Sequence, residues 1–199
     1  MQLQINLDVA TERDPDLGPA REMTEEDFNL ACEHARAQAA AAIAHFGRAP
    51  ATILLPSFGP EGLARMGVMP VDDLASQPIG KEFLVELARR LGEDANHDLV
   101  ILVHEASLLS EPLSAANAVE TLRSAMLSSV AAHPASVKAL VVTIRSRSRL
   151  AVAMLPISRA EDGSVSVDRA PLIFTDSDGV DLAEGRLLTL SRPPGATLH

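Results

Sequence analysis

His104, Glu105 and Ser107 come nearest, by type and spacing, to a set of catalytic side chains in this sequence. They close the run LVILVHEAS, where a histidine beside a carboxylate could move protons and a nearby serine could serve as nucleophile. A zinc-protease reading fails here, because the motif needs a second histidine three residues beyond the glutamate and Leu108 stands there. If the run is a strand, His104 and Glu105 also point to opposite faces and do not share one substrate atom.

Other constellations are weaker. Asp176, Asp178, Asp181 and Glu184 surround Gly179, but a calcium loop places glycine sixth and glutamate twelfth, whereas here they fall fourth and ninth; a solvated acidic turn is the expectation. Cys32 and His34 lie two residues apart in a helical pattern, about 200° from each other, and cannot form a nucleophile–base pair. His45, His97, His133 and His199 read as single surface histidines near element ends, so no metal site is expected. Arg145, Arg147 and Arg149 alternate with serines and could grip a phosphate or an acidic partner, although a charged hairpin tip is the plainer reading. No phosphate loop, nucleophile elbow or dinucleotide fingerprint is present, Gly59, Gly62 and Gly67 being wrongly spaced, and no cofactor is implied.

The elements that would position these residues follow from periodicity. Leu3, Ile5, Leu7 and Val9 alternate over residues 2 to 9, the pattern of a half-buried strand, and a loop over 11 to 23 follows. Phe28, Ala31, Cys32, Ala35, Ala39, Ala42, Ile43 and Phe46 recur at helical steps between the capping pattern Thr24/Asp27 and Gly47, predicting a helix from about 25 to 46. Residues 51 to 56 suit a buried strand, and the Pro- and Gly-rich stretch 57 to 79 reads as a long functional loop. Further helices are expected over 79 to 91 and 115 to 132, with a buried strand over 98 to 105 between them. Strands over 137 to 145 and 149 to 157, joined at Ser146–Arg147–Ser148, form a tight hairpin. Short strands over 164 to 168, 172 to 175 and 186 to 190 complete the set, and 192 to 199 form a mobile tail.

The segment LVILVHEAS, continuing through a helix to HPASVKALVVTIRSRSRLAVAMLPISR, resembles a family of uncharacterised bacterial hypothetical proteins. In that pattern a buried strand ending in Glu-Ala precedes a paired-strand module. The resemblance implies a bacterial or phage-linked origin and carries over no catalytic residue.

Composition narrows the partners. With 27 acidic residues against 17 basic ones, the net charge of −10 repels phosphate backbones, and the absence of Tyr and Trp removes the usual base-stacking platforms. Nucleic acid is therefore disfavoured. One cysteine rules out an internal disulfide and points to the cytoplasm, while no signal peptide or membrane span is read. The expected fold is one α+β domain over 1–199, with an antiparallel or mixed sheet and a C-terminal β-meander packed against about three helices. The expected function is a non-catalytic interaction or assembly protein, through a homo-oligomer or a protein partner. Its rival is a small-molecule binder or hydrolase with its site near His104, Glu105, Ser107 and the 57–79 loop.

Overall fold

A computed structural model describes residues 22–60, 62–72, 87, 90, 91, 97–109 and 136–176. Helix α1 spans Glu25–Phe46. Its start is fixed by a capping box: the Thr24 hydroxyl accepts the Asp27 N–H at 3.3 Å, and the Asp27 carboxylate accepts the Thr24 N–H at 2.8 Å. Met23 before the cap and Phe28 beyond it are both buried in one core, as in a hydrophobic staple. Gly47, at φ 77°, ends the helix in the left-handed conformation and donates its N–H to Ile43.

Seven strands form one curled antiparallel sheet: β1 Thr52–Gly59, β2 Gly62–Pro70, β3 Val100–Leu109, β4 Ser136–Arg145, β5 Arg149–Arg159, β6 Val165–Val167 and β7 Ile173–Asp176. Their order is β2-β1-β3-β4-β5-β6, with β7 beside β6 on the same flank of β5: β6 pairs with Ile157–Arg159 and β7 with Arg149–Val152. The expected meander is thus modified, because β7 returns to the start of β5 instead of extending from β6.

Residues that point to either face of β3, β4 and β5 are buried, which explains the unbroken apolar runs in these strands. On one face Leu54, Phe58, Ile101, Val103, Leu140, Val142, Ile144, Ala151 and Ala153 meet the helix stripe Phe28, Ala31, Cys32, Ala35, Ala39 and Ile43. Small side chains at every fourth helix position let the backbone approach the sheet closely. Burying Phe28 alone is worth about 1.5–3 kcal/mol. On the other face Ile53, Val100 and Leu102 pack with Val71 and Leu87.

This corrects the expected architecture. Among the described residues there is one complete helix and a structure made mostly of sheet, not three helices packed on a smaller sheet. Leu87, Arg90 and Leu91 are helical, but the rest of 79 to 91, the segment 115 to 132, and the strands expected at 2 to 9 and 186 to 190 lie outside the described residues. The 57–79 stretch is also not a loop in its first part, since it holds the end of β1 and all of β2. Its glycines and prolines are those an edge hairpin tolerates. A Cβ at Gly67 would lie 3.3 Å from Leu55 Cβ, so the bare backbone is what lets β2 close against β1. Pro56 sits beyond the point where β1 pairs with β3, so its missing N–H costs that ladder nothing.

Candidate functional site

Strand β3 carries His104, Glu105 and Ser107 beside Val141, Leu140 and Lys138 of β4. Because Leu140 faces α1, Glu105 and Ser107 share the helix face and His104 lies on the other. The structure therefore separates the proposed proton-mover from the proposed nucleophile. Glu105 is engaged elsewhere: its Oε1 accepts the N–H of Ala49 at 2.6 Å, just past the end of α1. His104 Nδ1 lies 3.3 Å from the carbonyl oxygen of Glu105. Ser107 Oγ accepts from Lys138 Nζ at 3.0 Å, the opposite direction to that required of a base activating the serine.

At the other end of the sheet, Glu22, Met23, His97, Asp98, Ser146, Arg147 and Ser148 line a half-open cavity of about 300 Å³. Antiparallel pairing creates it, by setting the β4–β5 turn beside the residues that lead into β3 and the segment that leads into α1. His97, expected at the surface, is buried, as are Asp98 and Ser146. Asp98 Oδ2 accepts the N–H of Phe58 at 2.9 Å. The Ser146 hydroxyl accepts the Arg149 N–H at 3.0 Å and shapes the turn. Sequence reasoning missed His97 and Asp98; the available signal was two adjacent polar residues immediately before a buried strand.

The three arginines of the hairpin do not form one positive patch. Arg149 pairs with Glu25 at 2.9 Å, and its guanidinium lies 4.5 Å from the Phe174 ring centroid and 5.9 Å from that of Phe28. Arg145 stands opposite Val100, with its Nε buried and without a hydrogen-bond partner among the described residues. Arg147 alone lines the cavity. This division removes the concentrated charge that a phosphate grip would use.

Cys32 is core, and burial pushes its thiol up to about 11, with Glu33 adding to the rise. Among the described residues no three His, Cys, Asp or Glu side chains are grouped to hold a metal ion. Asp178, Asp181, Glu184, His133 and His199 lie outside them. No described helix is long and apolar enough to cross a membrane.

The two flanks of the sheet differ. One is closed by the short strands β6 and β7 side by side; the other is β2, nine residues long and paired, among the described residues, with β1 alone. Edge strands expose main-chain donors and acceptors that can pair with another chain. A bulge opposite Ser57/Phe58 and Pro70 at the end blunt β2, leaving Met66–Met69 as a regular run with Val68 52% exposed.

Comparison with protein-family models, curated proteins and solved structures finds no match to this chain.

Proposed function

We propose that this chain is a non-catalytic interaction or assembly protein of the bacterial cytoplasm, docking through the edge of β2. The observation that carries the reading is that this nine-residue strand is paired, among the described residues, on one side. Support also comes from the sequence-level candidates for catalysis, since Glu105 secures the chain after α1 and Ser107 accepts from Lys138. The cytoplasmic and bacterial parts rest on the single cysteine and on the family resemblance of residues 99–159. Native mass spectrometry of the gently purified chain tests the reading. A complex heavier than the 21.1 kDa chain, reduced to that mass by Val68→Lys, is expected. The mass of a single chain at every concentration and in host extract overturns it.

A second reading, a small-molecule binder or hydrolase, is favoured by the cavity around buried His97, Asp98 and Ser146 rather than by His104, Glu105 and Ser107. A small molecule retained by the native protein and lost on Arg147→Ala supports it. A bare chain with no turnover on esterase, phosphatase and amidase substrates removes it.

A further inference from the structure

The turn between β4 and β5 closes on its own bonds and leaves two residues over. Ser146 donates its N–H to the Arg149 carbonyl at 2.9 Å, and its hydroxyl accepts the Arg149 N–H at 3.0 Å. Glu25 then takes the Arg149 side chain at 2.9 Å. Arg147 and Ser148, the two residues between, are exposed, line the cavity and stand among the described residues without a hydrogen bond or ion pair. A guanidinium, a hydroxyl and two main-chain N–H groups are therefore available beside one space, with no partner to displace.

The other walls set what can enter. Glu22 and Asp98 both have partners within the chain, Asp98 through the Phe58 N–H, so they act on a guest through their charge. Two carboxylates against one guanidinium repel a dianion such as phosphate, yet attract a cationic group carried beside a bound anion. The planar guanidinium of Arg147 matches one carboxylate through two parallel N–H···O bonds. Met23 is the one apolar side chain of the lining, and a volume of about 300 Å³ lies at the lower end for small-molecule sites, so the guest is compact and polar.

We propose that the cavity binds a small zwitterion of the α-amino acid class, its carboxylate on Arg147 and Ser148 and its ammonium group towards Glu22 and Asp98; the proposal rests on the small-molecule reading above. Each half of the ligand needs the other. A carboxylate alone meets the field of Glu22 and Asp98 uncompensated, and an amine alone leaves Arg147 without a partner. Long-range charge favours the same class, because a chain carrying −10 repels a free anion but not a molecule of zero net charge.

Nitrogen-15 NMR of the full chain tests this, by titration with each standard L-amino acid, with its des-amino acid, with its decarboxylated amine and with inorganic phosphate. At least one amino acid is expected to shift the Arg147 Nε–H and the Ser148 amide saturably, while its des-amino acid and its amine bind at least about 10-fold more weakly. Arg147→Ala and Arg147→Lys, at an exposed position where the fold is kept, are each expected to weaken that amino acid at least about 10-fold, the lysine variant because it keeps the charge and loses the two-bond match. A des-amino acid or phosphate binding as tightly as any amino acid overturns the zwitterion and spares the small-molecule reading. So does silence from every amino acid when the native protein still retains another molecule that Arg147→Ala releases. Silence together with a bare chain overturns both. Amino acid binding unchanged in Arg147→Ala overturns the assignment to this cavity.

Discussion

Asp98 extends a strand ladder that β3 itself does not reach: its carboxylate takes the N–H of Phe58 at 2.9 Å, beyond the point where β1 and β3 stop pairing at Leu54↔Ile101. Both residues are buried, so without Asp98 the Phe58 amide has no water to turn to. Asp98→Ala should lower stability by about 1–3 kcal/mol, and Asp98→Asn, which keeps an acceptor oxygen, by less. Urea unfolding of the two variants checks the order; equal losses would mean that the charge, not the acceptor, matters.

Glu105 should behave as a structural residue. It holds the Ala49 N–H in the segment leaving α1, while Arg159 donates to the Gly47 carbonyl at 2.9 Å two residues earlier. Glu105→Ala is expected to cost about 1–3 kcal/mol, with Glu105→Gln milder, as read from the urea midpoint. Any turnover found for this protein should survive Glu105→Gln.

The Cys32 thiol should resist alkylation. Its pKa of about 11 leaves little thiolate at pH 8, and its 6% exposure blocks approach. Iodoacetamide labelling of the native chain is expected to run at least about 100-fold slower than after urea unfolding. Comparable rates would place the thiol at the surface.

Acid should loosen the contact between α1 and β6. Hydrogen bonds from Arg36, and then from Arg169, hold the Glu33 carboxyl below its ordinary 4.5, and Arg36 also reaches the Val167 carbonyl at 3.0 Å. Arg48, with the Ala51 N–H, holds Asp72 below its ordinary 3.8. Depressed carboxyl values contribute stability that is present above the unfolded values and lost as pH falls through the folded ones. The urea midpoint should therefore fall as pH drops below about 4.5, more weakly in high salt because these pairs are partly exposed. Glu33→Gln should flatten that decline; an unchanged slope would remove Glu33 from it.

The helix and the long hairpin were legible because their signals are local. Thr24, Asp27, the three- and four-step apolar stripe and Gly47 mark α1, and Ser146 to Ser148 mark the turn between β4 and β5. Strand β2 was hidden because Gly62, Gly67 and Pro70 resemble loop residues until their edge position is known. The cavity was hidden for a different reason. Glu22, His97 and Arg147 lie far apart in sequence, and only the pairing of β3 with β4 and the seating of α1 bring them together. The opposition of His104 to Glu105 followed directly from strand alternation, whereas the use of Glu105 to hold Ala49 depended on where α1 ends.

The seating of α1 also has a consequence for biosynthesis. The helix packs on β3, β4, β5 and β6, yet on the order of 90 residues separate Phe46 from the start of β4. At roughly 5 to 20 residues per second, the ribosome leaves Phe28, Ile43 and the alanine stripe without most of their cover for several seconds. The first described element is among the last to be sheltered, so the nascent chain exposes that apolar stripe for an interval whose length is set by the position of β4 in the message.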